Sequence, residues 1–330
     1  MKFPLPHVIS AAGLCALAAL AALVLAGPAH AQGYPDKPVR LIVGFAPGGT
    51  NDVLARLMAT KLQERFKQNF VVENKPGAAS MIAAELAARA PADGYTLFVA
   101  SSGVLTVNPA LYTKINYDPV KDFEPVALLG SFPLVVTTSP GSQIKDVKGL
   151  IEAARRAPGQ TLDHGVGSSP FQLAAELFAR DVGIRFSHIP YKGTGPTVTA
   201  LLGNEVPLAV LDVAGVIPNI KAGRLGAVAV TTARRSSVLP DVPTLAESGV
   251  KDYDVAIWTG LVTPAGTPPD VTARLRAALA DILADKDVQS RLAALGMDAG
   301  HTDVPVFSRL IASDLARWVA VARAANIKAE

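Results

Sequence analysis

The chain has 330 residues, 50% of them hydrophobic, with 31 lysine and arginine residues against 28 acidic residues and a formal net charge of +3. This length is enough for one large or two medium-sized domains with buried cores. The charge distribution argues against nucleic acid as a partner, because the only tight basic groups are the doublets Arg155-Arg156 and Arg234-Arg235, with no aromatic residues between them.

The N-terminus has the pattern of an export signal. Lys2 precedes an apolar run over residues 8–26, and residues 27–31 have the small-x-small pattern of a signal-peptidase site. We predict a signal peptide over residues 1–31 with cleavage after Ala31; an uncleaved membrane anchor is the alternative. Cleavage removes the single cysteine, Cys15, so the exported chain is expected to have no disulfide and no cysteine metal site.

Strands and helices alternate in the first third of the exported chain. Strands are predicted from Val39 and over 69–73 and 95–100, and helices over about 54–66 and 80–89. This order is typical of a parallel sheet with helices packed on its faces.

The turn after the first strand is the first candidate site. Gly48 and Gly49 allow backbone N–H groups to approach a ligand, and Thr50 or Asn51 is expected to cap a helix whose first turn attracts anions. The alternative is a plain turn that binds nothing. The candidate ligand-binding residues of this turn are Phe45, Pro47, Gly48, Gly49, Thr50, Asn51 and Asp52.

Ser101 and Ser102 follow the third strand. Their hydroxyls are expected at the carboxyl edge of the same sheet as the glycine turn, where open α/β sheets bind ligands. They are therefore candidate ligand contacts, with an ordinary turn as the alternative.

A second alternating series is predicted after an irregular segment that follows Asn108-Pro109. Strands are predicted over 124–131, 134–138, 161–165, 206–211 and 226–231, and another leads into 189–191; helices are predicted over 147–156, 171–181 and 196–202. A strand near 253–260 precedes a purely helical tail from Asp270. A helical tail after two α/β units suggests that the chain returns to the first unit, which gives two domains joined by two strands.

Two loops of the second series, residues 165–170 and 191–196, repeat the features of the glycine turn, and a strand-end carboxylate is a third candidate. Ser168 or Ser169 is placed to cap one helix, and Thr194 lies near the start of the next. Asp212 ends an apolar strand, where a turn role is the alternative to a ligand contact. A nucleotide P-loop is rejected at Lys192-Gly193-Thr194 because the GxxxxGK[ST] order is absent.

Short motifs across nearly the whole exported chain resemble, in order, those of the Bug-type extracytoplasmic solute receptors, the substrate-binding components of tripartite tricarboxylate transporters. The matching stretches are residues 34–40, 47–49 with 52, 72–78, 93–97, 108–109, 117–123, 191–193, 220–223, 239–244 and 264–268.

The resemblance implies a type II periplasmic-binding-protein fold, with two α/β domains, two crossover strands and a ligand cleft between the domains. The expected domains are residues 32–133 with 259–330, and residues 134–258. Residues 47–52 would face the cleft from the first domain, and the Ser168-Ser169 loop, Thr194 and Asp212 from the second. The implied protein is a periplasmic monomer without cofactor or metal, which binds a small organic acid or acidic amino acid and delivers it to membrane permease subunits.

Two positions are of note against the family pattern. Family members often have a histidine where this chain has Phe171, and the residues at Thr50-Asn51 vary among members.

Two functional alternatives remain. A sensor kinase, in place of the permease subunits, is the alternative recipient of the receptor closed around its ligand. The rival from another class is a periplasmic hydrolase that uses Asp163, His164, Ser168 or Ser169 and Asp212, but the G-x-S-x-G elbow is absent.

Overall fold

The structure is a computed structural model that describes residues 33–328. The chain divides into a short unit, Met1–Asp36, and a second unit from Lys37 onward. The predicted signal peptide lies outside the described residues. Among those residues, every helix and strand belongs to the second unit.

The first α/β series forms as the sequence predicts. It consists of β1 (Val39–Val43), α1 (Thr50–Phe66), β2 (Phe70–Asn74), α2 (Met81–Ala88) and β3 (Thr96–Ser101). β1 lies between β2 and β3 and pairs in parallel with both. Apart from the exposed Arg40, its side chains are apolar and buried, because helices cover both faces of a parallel sheet.

The segment after β3 is more regular than predicted. A π-helical turn, Gly103–Val107, leads into α3 (Asn108–Leu111), where the sequence indicated irregular chain. The two strands expected over 124–138 are one strand, β4 (Phe123–Thr138). The strand continues through Pro133 and changes its partner from β9 (Ala256–Pro264) to β7 (Leu208–Asp212) after that residue. Proline has no N–H to donate, so it fits where the ladder changes partner.

The second α/β series also follows the predicted order. It consists of α4 (Val147–Arg156), β5 (Leu162–Val166), α5 (Ser169–Val182), β6 (Phe186–Pro190), α6 (Thr194–Leu202), β7, α7 (Val213–Lys221) and β8 (Gly226–Val230). The sequence pattern missed α7, which contains Pro218 and buries few of its side chains. Asp212 begins this helix by accepting a hydrogen bond from the backbone N–H of Gly215.

The C-terminal part is not purely helical as predicted. It contains α8 (Pro269–Ala284), α9 (Lys286–Ala294), β10 (Asp298–His301) and α10 (Val304–Ala324). β10 pairs antiparallel with β4, and it has no β-branched residue to mark it as a strand. A Cβ atom at Gly300 would lie 2.0 Å from the carbonyl oxygen of Leu128, so the close approach of these strands requires glycine.

Within residues 33–328 the strands form one sheet of ten. Its order is β2-β1-β3-β9-β4-β7-β5-β6, and β8 and β10 both pair with β4. The loops after β1, β3 and β5 carry the predicted serine, asparagine and glycine residues. Over the same residues, none of the helices is both long and apolar enough to cross a membrane.

Candidate functional site

A cavity of about 360 Å³ opens beside the loops that follow β1, β3 and β5. Five predicted site residues line it: Phe45, Asn51, Ser101, Ser168 and Ser169. Phe171, which the sequence singled out as a departure from the family pattern, also lines it. The sequence did not indicate the other lining residues, which are Ala79, Gly103, Val104, Asn108, Phe132, Pro170 and Ile257. Both α/β series therefore contribute to one cavity, whose volume lies at the lower end of the range for small-molecule sites.

The glycine turn between β1 and α1 does not have the predicted cap. Gly49 is the N-cap residue and Thr50 is the first helical residue, so neither Thr50 nor Asn51 caps α1. Gly48 has a φ of +88°, a conformation that glycine adopts without strain. Pro47, Gly48 and Gly49 are exposed, and none of them lines the cavity.

Asp52 lies beneath this turn rather than in the cavity wall. Only 2% of the residue is exposed, and its carboxylate accepts hydrogen bonds from the backbone N–H of Gly48, from Asn74 and from Arg56. The hydrogen bond from Arg56, joined by those from Gly48 and Asn74, outweighs desolvation and lowers the pKa of Asp52 to about 2. Asp52 therefore holds the turn in place.

We expect Asp52→Asn to lower the free energy of unfolding by about 1–2 kcal/mol, because the hydrogen bonds lose their charge. The depressed pKa means that this stabilisation is complete above pH 4 and is lost as the pH falls toward 2. Urea unfolding at several pH values measures both effects. Asp270→Asn, at an exposed position in the first turn of α8, is the matched control. Equal losses in the two variants would contradict the role of Asp52.

Asn51 presents an amide group to the cavity. Its Oδ1 accepts a hydrogen bond of 2.6 Å from the hydroxyl of Thr259 in β9. That contact orients the amide, and within residues 33–328 its Nδ2 group has no hydrogen-bond partner. Ser101 also lines the cavity, and its Oγ accepts from the N–H of Val104 at 3.4 Å. Ser102 is buried behind the wall, where it accepts from the N–H of Trp258.

A strained backbone segment borders the cavity. Ala78, Ala79 and Ser80 have φ values of 45°, 50° and 72°, a region that residues with side chains rarely occupy. The carbonyl oxygen of Ala79 accepts a hydrogen bond from Asn108, which also lines the cavity. Such strain is concentrated at ligand sites. Strain of this kind has no signature in a single sequence.

The start of α5 also lines the cavity. Ser168 is the N-cap residue, as predicted, but its side chain makes no capping hydrogen bond. Over the described part of the chain, the hydroxyls of Ser168 and Ser169 have no protein partner. Phe171 is 9% exposed and lines the cavity with an apolar ring.

Thr194 and Asp212 lie outside the cavity lining and bind each other. The hydroxyl of Thr194 donates to Asp212 Oδ2 at 2.5 Å, and Asp212 Oδ1 accepts from Gly215 N–H at 2.8 Å. They adjoin the serine loop, since a Cβ atom at Gly167 would lie 3.1 Å from the backbone of Gly193. Asp212 therefore links the starts of α6 and α7.

The hydrolase alternative gains no support from the geometry. His164 is fully buried and uses both ring nitrogens: Nε2 accepts from Val210 N–H and Nδ1 contacts His188 Nδ1 at 3.0 Å. Residues 33–328 contain no hydrogen bond between His164 and Ser168 or Ser169. They also contain no group of three or more histidine or acidic residues arranged to hold a metal ion.

Comparisons with known proteins agree with this architecture. The family model described as "Tripartite tricarboxylate transporter family receptor" matches residues 54–327. Protein BugT of Bordetella pertussis (strain Tohama I) is 34% identical over 307 residues, which cover 92% of this chain and 94% of the relative.

Two solved structures with bound ligands are similar to this chain. "R. palustris Rpa4515 with adipate" is 34% identical with a TM-score of 0.79, covering 89% of this chain and 99% of that one. "MatC (Rpa3494) from Rhodopseudomonas palustris with bound malate" is 31% identical with a TM-score of 0.74, covering 87% and 99%. The predicted periplasmic-binding-protein fold is confirmed. By the extent of these matches, the chain belongs to the tripartite tricarboxylate transporter receptor family.

Proposed function

We propose that this receptor captures a small organic acid in the cavity and delivers it to the membrane subunits of a tripartite tricarboxylate-type transporter. The observation that carries the proposal is a cavity lined by uncharged hydrogen-bond donors from both α/β series. Asn51 comes from the first series, and Ser168 and Ser169 come from the second. Relatives solved with adipate and malate support carboxylates as the ligand class.

Closure of two domains, residues 32–133 with 259–330 and residues 134–258, is the proposed means of capture. β4 and β9 are the connecting strands, and the change of partner in β4 after Pro133 supports a boundary there. A carboxylate that binds donors from both domains favours the closed state by its differential affinity for that state. The membrane subunits then recognise the closed surface.

The proposed compartment in which the receptor captures its ligand is the periplasm. The export pattern of residues 1–31 and the receptor family support it. The mature protein is proposed to start at Gln32 and to act as a monomer.

Ligand-dependent thermal stabilisation tests the proposal. The purified full-length chain is heated with mono-, di- and tricarboxylates and acidic amino acids, and ester hydrolysis is measured in parallel. We expect at least one carboxylate to raise the melting temperature in a saturable manner, with no ester turnover. Because Ser168 and Ser169 supply donors, replacing both with alanine should weaken that ligand's binding about tenfold or more.

Ser290→Ala, on the exposed face of α9, is the control and should leave ligand binding unchanged. The proposal would be overturned if no carboxylate stabilised the chain. Ester turnover that disappears in the double serine variant would favour the hydrolase instead.

A further inference from the structure

The cavity is uncharged and largely apolar. Three phenylalanine rings, Phe45, Phe132 and Phe171, line it together with Pro170 and Ile257. Among its lining residues there is no lysine, arginine, histidine, aspartate or glutamate. The nearby carboxylate of Asp52 is paired with Arg56 and lies outside the lining. A ligand in this cavity therefore meets no side-chain counter-ion.

The free side-chain donors of the cavity lining suffice for one carboxylate group. They are the Nδ2 group of Asn51, with two N–H bonds, and the hydroxyls of Ser101, Ser168 and Ser169. The amide group of Asn108 is already engaged by the carbonyl oxygen of Ala79 and by the side chain of Tyr117. One carboxylate has about four acceptor sites, so two carboxylates would present about eight acceptor sites to these five side-chain donors.

A second carboxylate would have to lie against the aromatic rings. Transfer of an ionised group from water to an apolar surface without a partner is strongly unfavourable. An aryl ring in the same place would contact apolar side chains and would gain free energy from burial. A cavity of about 360 Å³ has room for a single small ring and its side chain.

We propose that the ligand of this receptor is a monocarboxylate with an aromatic body, of the phenylacetate type. Its carboxylate binds Asn51 and the two serines of the α5 loop, and its ring packs among the phenylalanines. The inference rests on the proposed function, since it assumes that the cavity binds carboxylates. An aromatic monocarboxylate as the ligand would distinguish this chain from the relatives solved with adipate and malate.

Isothermal titration of the full-length chain with phenylacetate, adipate and malate tests the inference. We expect phenylacetate to bind at least about tenfold more tightly than either dicarboxylate. Phe132→Ala should weaken phenylacetate binding about fivefold or more and change adipate binding less than twofold. Phe45→Ala, at a half-exposed loop position, is a second variant with the same expectation and a smaller risk to folding.

Val120→Ala is the control, because Val120 is 59% exposed and lies outside the cavity lining. Tighter binding of adipate or malate than of phenylacetate would overturn this inference and leave the proposed function intact. An unchanged affinity for phenylacetate in both phenylalanine variants would also overturn it. The absence of binding by any carboxylate would overturn the proposed function itself.

Discussion

Asn51→Leu is expected to weaken binding of the preferred carboxylate about 10- to 100-fold while the chain remains folded. The amide of Asn51 is oriented by the hydroxyl of Thr259, and its Nδ2 group has no partner within residues 33–328. Its N–H bonds are therefore available to a carboxylate, and a hydrogen bond to a charged group contributes about 1.5–3 kcal/mol. Leucine has a similar size but no donor.

Isothermal titration with the best ligand of the carboxylate panel measures this effect, and melting of the ligand-free variant checks the fold. Asn51→Asp should be at least as damaging, because it places a negative charge beside the ligand's carboxylate. Asn116→Leu removes an exposed asparagine outside the cavity and should leave affinity unchanged. A twofold change or less in both Asn51 variants, with intact folding, would contradict this role.

His164→Leu is expected to lower the free energy of unfolding by about 2–4 kcal/mol at pH 7. His164 belongs to a hydrogen-bonded chain that joins β7, β5, β6 and α5. Its Nε2 accepts from Val210 N–H, so its proton lies on Nδ1 and is donated to His188 Nδ1; His188 Nε2 then donates to Glu176. Leucine leaves the buried N–H of Val210 and the Nδ1 of His188 without partners, and each loss costs about 1–3 kcal/mol.

The same hydrogen-bonded chain through His164 and His188 predicts that the free energy of unfolding depends on pH. Burial, together with the nearby ring of His188, holds the pKa of His164 well below its ordinary value. The unfolded chain gains this proton below about pH 6.5 while the native state does not, so this contribution to stability is lost as the pH falls. The limiting slope is about 1.4 kcal/mol per pH unit.

Urea unfolding at pH 7 and pH 5 separates the pH-dependent contribution of His164 to the free energy of unfolding from the titration of other groups. The stability difference between the unmodified chain and His164→Leu should narrow by about 1–2 kcal/mol at the lower pH. His301→Ala, whose ring accepts from Asp303 N–H at the end of β10, is the control and should show no such narrowing. A difference that stays constant with pH would refute the prediction.

Most helices and strands with strong periodicity were predictable. The runs that became β1, β3 and α4 were located to within about two residues, because a short apolar run indicates a buried strand and helical spacing of apolar residues indicates a helix with one buried face. Elements held by distant partners were missed. β10 exists through pairing with β4, and α7 is a short helix that contains Pro218.

The sequence predicted the kind of polar groups in the site better than it predicted which residues line the cavity. Asn51, Ser101, Ser168 and Ser169 were identified because polar residues after strands meet at one edge of a sheet. The predicted participants Asp52, Thr194 and Asp212 make hydrogen bonds within the protein and do not line the cavity. Which acceptors are already occupied depends on residues such as Asn74 that are distant in sequence.

The sequence by itself determined the family, the alternation of strands and helices, and the loops from which polar groups reach the cavity. These properties depend on local patterns and on ordered motifs, which are present in the chain before it folds. Only the tertiary structure decided that Phe45, Phe132 and Phe171 surround one cavity and that Asp52 lies beneath its turn. The size and charge of a cavity depend on side chains brought together from distant segments, and no local pattern specifies them.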